Sequence, residues 1–397
     1  MPLGILHIPN TCTGCGACVS VCPKEALMLG SNREGFYYPV LDAKSCVDCK
    51  LCEKVCHCLN TKENLEPSVN YKAFMVKANS HEVVMNSSSG GVFSLLADMV
   101  IKQGGVVYGA RYNFQEERLE HGSTDIFPLE ELRKSKYIES YMGQIIKDVY
   151  QSLRQGRMVL FCGTPCQVEG VRQYLLTRKV DMSNLLLVRF ICHGVPANKF
   201  FTEYKHYEEA KHKSKMTAFD FRPKVRGWRS SDWKMCFENG KIETGPYYYY
   251  YYYYYYYFQM CNTLRASCYL CKRVFNENAD ITIGDFWGIQ KYCPDNKDQE
   301  GISVLLAHND KALEFVKNIQ EHSMVMPIPV SAVDYIYREA TDRSKLLDER
   351  NEIMKQVVEQ GYMAVAKKRL GMVIQKRKIK DRIAKYIRPL RKWIKRK

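Results

Sequence analysis

Eight cysteines near the N-terminus form two arrays with identical spacing, and this doubled array restricts the fold of the chain more than any other feature. Each array has the pattern C-x2-C-x2-C-x3-C. The arrays are Cys12, Cys15, Cys18 and Cys22, and Cys46, Cys49, Cys52 and Cys56. Three cysteines at this spacing wrap one face of a cubane cluster, while the fourth points towards a second cluster. The arrays therefore predict two 4Fe-4S clusters.

The fourth cysteine of each array is expected to bind the cluster of the other array. The predicted ligand sets are Cys12, Cys15, Cys18 and Cys56 for one cluster, and Cys46, Cys49, Cys52 and Cys22 for the other. A pair of zinc sites is the alternative, but zinc modules use two separated pairs of ligands. Pro23 follows the first array, whereas His57 and Cys58 follow the second, and we interpret Cys58 as a spare thiol.

The remaining composition is that of a globular protein with two or three domains. The chain has 397 residues, 46% of them apolar, and no apolar run approaches the ~18 residues of a membrane span. Its first residues lack a basic region followed by an apolar stretch, so a cytoplasmic location is expected. In that reducing compartment cysteines are more often metal ligands than disulfides.

Alternating strand and helix patterns predict an α/β core after the arrays. Strands are expected at 106–108, 158–162, 185–191 and 302–307, and helices at 92–102, 144–154, 168–176 and 199–211. An Asn239-Gly240 turn predicts an inserted β-hairpin over residues 233–244. The predicted domains are a small α+β domain of bacterial-ferredoxin type at 1–66, an α/β domain at 67–345 and a helical, basic tail at 346–397.

A run of eleven tyrosines, Tyr247 to Tyr257, lies between the hairpin and the later cysteines. Identical aromatic residues on every face suit no packed element, so we interpret the run as a low-complexity insertion.

A serine- and glycine-rich loop, residues 86–91, leads into the helix predicted from Val92. Hydroxyls and unobstructed N–H groups at a helix N-terminus form an anion site suited to a phosphate or pyrophosphate. An ordinary N-cap with flexible glycines beside it is the alternative.

Four further cysteines form a candidate third ligand set. Cys166 and Cys192 each follow a predicted strand, where ligand sites of α/β sheets collect, and Cys268-x2-Cys271 lies downstream. Cys166 also begins a predicted helix, whose dipole favours thiolate. Buried, inert thiols are the alternative.

Together these motifs resemble the family of coenzyme F420 hydrogenase/dehydrogenase beta subunits, over residues 1 to about 310. Besides the arrays, the matching motifs are Ser88-Ser89-Gly90-Gly91, Ser135-Lys136-Tyr137, Gly163-Thr164-Pro165-Cys166-Gln167, Cys192-His193-Gly194, Cys268-Tyr269-Leu270-Cys271 and the stretch from Asp280 to Gly288. The resemblance implies FAD beside a core iron–sulfur cluster. The implied flavin residues are Ser87, Ser88, Ser89, Gly90, Gly91, Lys136 and Tyr137. Asp285 would orient the cluster loop or substrate, with a turn-capping role as the alternative.

The resemblance also implies a flavin- and iron–sulfur-dependent oxidoreductase. A ferredoxin-like or other redox donor would supply single electrons through the clusters to FAD, which passes them on as a pair, as hydride, to a small molecule. Some family members use coenzyme F420, and others act elsewhere, including in contexts of surface-polysaccharide synthesis, so the substrate stays open. An electron-transfer subunit with no organic substrate of its own is the alternative.

The C-terminal tail carries most of the positive charge. Residues 366–397 contribute +14 to a net charge of +16, so the body is nearly neutral and nucleic-acid binding is disfavoured. Apolar residues recur among the basic ones, at Leu370, Val373, Ile374, Ile379, Ile383, Ile387, Leu390 and Ile394. Packing on the body or a partner and peripheral contact with the inner face of the membrane are the two main interpretations.

Overall fold

The computed structural model describes residues 10–60, 71–230, 232–246, 253–254, 262–271, 278–334 and 343–371, with positions 375 and 379. Within those residues, no helix is both long and apolar enough to cross a membrane.

The N-terminal segment is a two-fold repeat of a cysteine loop followed by a short helix. Its elements are helix α1 (Ala17–Val21), strands β1 (Leu27–Ser31) and β2 (Tyr37–Leu41), which pair antiparallel, and helix α2 (Leu51–Val55). Each helix begins after a residue with positive φ, Gly16 at 79° and Lys50 at 58°, and each ends at the fourth cysteine of its array, Cys22 or Cys56. The repeated spacing thus produces repeated local structure.

A mixed eight-stranded sheet forms the centre of the molecule. Its strands are β3 (Lys72–Ala78), β4 (Val106–Asn113), β5 (Arg118–Ser123), β6 (Val159–Gly163), β7 (Leu185–Phe190), β11 (Ile281–Asp285), β12 (Ser303–Ala307) and β13 (Ser323–Ile328). They lie in the order β13-β3-β12-β11-β7-β6-β4-β5. The four strands β4, β6, β7 and β11 run parallel, and the outer strands pair antiparallel. The predicted α/β core is therefore confirmed, with antiparallel edges.

Helices cover both faces of this sheet. In chain order they are α3 (His81–Met85), α4 (Val92–Lys102), α5 (Leu129–Leu132), α6 (Ile145–Arg154), α7 (Pro165–Thr177), α8 (Asn198–His212), α9 (Ala266–Tyr269), α10 (Asp310–Ile319) and α11 (Leu347–Gln360). Alternate residues of β6 point to opposite faces: Leu160 packs with α4 and α10, while Val159 and Phe161 pack with α6 and α7. The second face also buries residues of α1 and α2, so the cysteine repeat lies against the core.

A smaller antiparallel sheet is inserted between β7 and β11. Its strands are β8 (Met216–Asp220), β9 (Asp232–Phe237) and β10 (Ile242–Pro246). β9 and β10 pair across the predicted Asn239-Gly240 turn, where Gly240 has φ of 79°. Tyr254, one of the two described residues of the tyrosine run, is fully buried against Phe200 and Phe201. At least one tyrosine of that run is thus a core residue.

The first part of the predicted tail packs on the body. Leu370 is 4% exposed and belongs to the same aromatic cluster as Tyr254. In helix α11, Arg350 donates to Glu34 of the cysteine repeat, with 2.9 Å between Nη1 and Oε1. Ile379 is exposed, and the other apolar tail positions named above lie outside the described residues. The packing interpretation holds for the tail as far as residue 371.

Candidate functional site

A cavity of about 780 Å³ opens at the carboxyl ends of three neighbouring parallel strands. Strands β6, β7 and β11 run in one direction, so their ends meet at one edge of the sheet. Gly163 ends β6, Cys192 follows β7 and Asp285 ends β11, and all three line the cavity. Cavities of this size hold cofactors or drug-sized ligands.

The serine- and glycine-rich loop forms one wall of the cavity. Ser87, Ser88, Ser89 and Gly91 line it, together with the first residues of α4. Gly91 is the N-cap of α4 with φ of 94°, and no side chain caps the helix. The orphan N–H groups of the first turn therefore remain able to bind an anion.

Gly90 has a different role from that of its neighbours. A Cβ at Gly90 would lie 2.3 Å from the carbonyl oxygen of Val76 and 2.7 Å from the amide nitrogen of Ser303. Glycine is therefore required where the loop crosses β3 and β12, and Gly90 itself does not line the cavity.

The predicted flavin motif Ser135-Lys136-Tyr137 contacts the serine- and glycine-rich loop. The N–H of Ser135 donates to Oγ of Ser88 at 2.8 Å, which joins the two loops. Lys136 and Tyr137 both line the cavity. The ammonium of Lys136 donates to the carbonyl oxygen of Arg133 at 2.5 Å, and burial lowers the pKa of Lys136 to about 7.

Asp285 is held at the cavity wall by two donors. Nε1 of Trp228 donates to Oδ1 of Asp285 at 2.7 Å, and Nη1 of Arg222 lies 3.3 Å from Oδ2. Trp228 stacks on Trp287, which also lines the cavity, with ring centroids 4.9 Å apart. Asp285 therefore fixes Trp228, and with it the stacked Trp287, at the cavity wall.

The four core cysteines come together beside the cavity. Burial raises the pKa of Cys192 well above its usual value, and the nearby thiols of Cys268, Cys166 and Cys271 raise it further. Burial likewise raises the pKa of Cys268 to about 12, with contributions from Cys271 and Cys166. A Cβ at Gly194 would lie 3.5 Å from Sγ of Cys268, so the loop after β7 touches helix α9. Residues from three separate segments thus meet at one place.

Their spacing differs from that of a zinc site. Thiolates bound to tetrahedral zinc at ~2.3 Å lie roughly 3.8 Å apart. Among the described residues, no three cysteine sulfurs lie within 4.8 Å of one another. A cubane cluster needs wider spacing because four metal ions lie between its ligands.

The two N-terminal arrays differ in exposure. Gly14 and Gly16 of the first loop are buried, whereas residues 47–50 of the second loop, with Cys49, are exposed. Burial raises the pKa of Cys52 to about 11, and Cys22 adds to the increase, so the fourth cysteine of the first array lies near a predicted ligand of the second.

Cys58 lies close to the first array. Its thiol contributes, after burial, to the raised pKa of Cys15. His57 lies between Cys58 and the first cysteine loop. Its Nε2 lies 3.3 Å from Oγ1 of Thr13, and its Nδ1 lies 3.6 Å from Sγ of Cys58. The thiol interpreted as spare is therefore a neighbour of predicted cluster ligands.

One arginine that the sequence analysis missed joins the first array to the core. Nε of Arg265 donates to the carbonyl oxygen of Cys12 at 2.8 Å, and its Nη2 donates to that of Tyr37 at 2.6 Å. Nη1 forms an ion pair with the buried carboxylate of Glu139. Arg265 is the N-cap of helix α9, which contains Cys268. Its position three residues before Cys268 is the one hint that the sequence offers.

Two clusters, each of two glutamates and one histidine of helix α8, are ion-pair networks. Their members are Glu117, His206 and Glu209, and Glu208, His212 and Glu243. Lys205 lies 2.7 and 2.8 Å from carboxylates of the first group, and Lys211 lies 2.7 Å from a carboxylate of the second. These lysines neutralise the acids without a metal ion.

Comparison with known sequences identifies two regions of the chain. Residues 156–331 match the family described as the C-terminal part of the coenzyme F420 hydrogenase/dehydrogenase beta subunit. Residues 11–59 match the 4Fe-4S dicluster domain.

Curated relatives cover the cysteine arrays. An uncharacterised ferredoxin of Methanocaldococcus jannaschii is 42% identical over 56 residues, which are 14% of this chain and 71% of the ferredoxin. An iron–sulfur subunit of CoB–CoM heterodisulfide reductase from the same organism is 43% identical over 61 residues, which are 12% of this chain and 9% of that protein.

One solved structure is also similar to this chain. It is a chain of the F420-reducing [NiFe] hydrogenase complex from Methanosarcina barkeri, with a TM-score of 0.47 and 16% identity, covering 72% of this chain and 92% of that one. By its two matched regions, this chain belongs over residues 156–331 to the family of coenzyme F420 hydrogenase/dehydrogenase beta subunits, and over residues 11–59 to the 4Fe-4S dicluster domains.

Proposed function

We propose that the chain is an iron–sulfur flavoprotein oxidoreductase. Electrons would enter one at a time through the two clusters of the N-terminal arrays, pass a third cluster held by the core cysteines, and reach FAD in the cavity. A small molecule at the cavity would then receive them as a pair. The observation that carries this proposal is the continuous set of contacts from Cys12 through Arg265 to Cys268 and the cavity wall at Cys192.

The difference in exposure between the arrays supports the direction of this path. Residues 47–50 of the second array are exposed and open to a protein donor, whereas the loop of the first array, in which Gly14 and Gly16 are buried, packs against helix α7. Clusters hold single electrons, and their potential depends on burial and hydrogen bonding. The second array is thus suited to electron entry, and the first array to electron transfer into the core.

The cavity supports a dinucleotide with its pyrophosphate at helix α4. Its volume suits a cofactor, the first turn of α4 has orphan N–H groups, and Lys136, Arg222 and Arg229 add positive charge to the lining. When bound, FAD supplies the conversion between one-electron and two-electron chemistry. The residues of the chain hold the cofactor and exclude water, and Nζ of Lys136, with a pKa lowered to about 7 by burial, can hold or release a proton at the cavity.

Removing one core cysteine tests the proposal. In Cys271→Ala, we expect the iron content of anaerobically purified protein to fall from about twelve to about eight atoms per chain, with FAD retained. Electron transfer from dithionite-reduced clusters to flavin should then slow. Cys236→Ala is the control, because this partly exposed cysteine lies on strand β9, outside the core set. Unchanged iron in Cys271→Ala would exclude a third cluster, and wild-type protein without flavin would favour the electron-transfer subunit.

A further inference from the structure

We propose that Arg265 and Glu139 form an electrostatic junction that adjusts the reduction potentials of the first N-terminal cluster and of the core cluster together. Arg265 is a positioning residue here, since it touches the backbone of a predicted ligand, Cys12, and adjoins another, Cys268. The inference rests on the proposed function, because it needs a cluster on each side of the arginine.

The guanidinium is fully engaged at this point. Arg265 is 1% exposed, and its three nitrogens donate to the carbonyl oxygens of Cys12 and Tyr37 and to the carboxylate of Glu139. Glu139 is also buried, and its second oxygen accepts from the N–H of Tyr37 at 3.1 Å. A buried ion pair with this many partners fixes the two residues in one geometry.

The same pair holds the surrounding segments. The N–H of Arg265 donates to the carbonyl oxygen of Val195 at 2.9 Å, in the loop that begins at Cys192, and the N–H of Cys268 donates to the carbonyl oxygen of Arg265 at 2.9 Å. On the other side, a Cβ at Gly14 would lie 2.9 Å from Nη1 of Arg265 and 3.0 Å from Oε1 of Glu139. The first cysteine loop therefore packs directly on the ion pair.

The charge of Arg265 reaches thiols on both sides. The guanidinium donates to the carbonyl oxygen of Cys12, and the N–H of Cys268 donates to the carbonyl oxygen of Arg265, so the charge lies next to a predicted ligand of each cluster. A charge that stabilises added negative charge also favours reduction of a cluster bound to those thiolates. Glu139 is the counterion of Arg265, so neutralising it would leave the charge of the guanidinium unopposed.

The experiment is a redox titration monitored by electron paramagnetic resonance on the full-length, cluster-loaded protein. We expect Arg265→Gln to lower the midpoint potentials of the Cys12 cluster and the core cluster, and Glu139→Gln to raise both. The cluster of the exposed array, at Cys46, Cys49 and Cys52, serves as internal reference and should not shift. Arg265→Lys keeps the charge but loses the fork of donors, so it should restore most of the potential.

Other outcomes distinguish failure of the junction from failure of the proposed function. Twelve iron atoms with unchanged potentials, or shifts of the same sign in both variants, would overturn the junction and leave the proposed function standing. If Arg265→Gln fails to fold, the other two variants decide: raised potentials of both clusters in Glu139→Gln with near wild-type potentials in Arg265→Lys support the junction, and unchanged potentials in Glu139→Gln overturn it. Eight iron atoms in the wild-type protein would remove the core cluster from the proposed path, and the junction with it.

Discussion

Gly170 of helix α7 lies directly against Cys15 of the first array. A Cβ at position 170 would lie 2.9 Å from both Cβ and Sγ of Cys15. Cys166 lies one turn earlier on the same helix, so Cys166 and Gly170 share a helix face. A single helix thus contacts the first N-terminal array and supplies a cysteine to the core set, independently of Arg265.

A side chain added at position 170 should displace the first array. In Gly170→Val we expect loss of up to four iron atoms, because the added methyl groups push Cys15 away from its ligand position, and a stability lower by about 1–3 kcal/mol from overpacking. Iron analysis and thermal unfolding measure the two effects. Gly371→Ala is the control, since a Cβ there meets nothing within 4 Å. An unchanged iron content in Gly170→Val would show that the array does not depend on this contact.

The hydrogen bond between the two cavity loops should affect flavin binding. Ser88→Ala leaves the N–H of Ser135 without its acceptor, which costs about 1–3 kcal/mol and loosens the wall beside helix α4. We expect FAD affinity to fall roughly ten-fold, measured as flavin retained after dialysis. Ser183→Ala, in an exposed turn where Oγ contacts only Asp181, is the matched control. Equal retention in both variants would contradict a flavin at this wall.

A buried histidine should make stability depend on pH. His121 lies at the cavity, where Nε2 donates to the carbonyl oxygen of Cys162 at 3.2 Å and Nδ1 accepts from Ser140 at 2.8 Å, and burial lowers its pKa to about 4. In the unfolded chain the pKa is about 6.5, so between pH 6.5 and 4 only the unfolded chain takes up this proton. Stability from this group is therefore present above pH 6.5 and decreases as the pH falls, by at most about 1.4 kcal/mol per unit.

Unfolding of His121→Gln measured from pH 7 to 5.5 checks this effect. The variant should show a flatter decrease in stability than the wild type, while the exposed His206→Gln should follow the wild type. His308, whose pKa burial lowers to about 3, contributes equally in all three proteins. Identical slopes for His121→Gln and the wild type would contradict the buried, neutral state of His121.

Local patterns predicted the parts of the fold and site that depend on nearby residues. The repeated cysteine spacing predicted a tight cysteine loop in each array, because three cysteines at x2 spacing wrap one face of a cluster, but it did not predict the short helix in each array. The predicted helix at residues 92–102 has the observed bounds, and the Asn239-Gly240 hairpin is present, since both follow from periodicity and turn chemistry. The placement of Cys166 and Cys192 at strand ends likewise followed from apolar runs.

Contacts between distant residues could not be predicted in this way. Arg265 and Cys12 are 253 positions apart, and the ion pair with Glu139 depends on how three segments pack. The requirement for glycine at position 170 arises from the contact with the first array, and the helix sequence does not reveal that contact. The burial of Tyr254 has the same cause, because its partners Phe200 and Phe201 lie on helix α8.

The most direct measurement is the iron, sulfide and flavin content of one sample of the full chain, purified without oxygen. The proposed path from the exposed array to the cavity predicts about twelve iron atoms, an equal amount of sulfide and one FAD per chain. About eight iron atoms with FAD would remove the core cluster. Eight iron atoms and no flavin after reconstitution would contradict the proposed oxidoreductase as a whole.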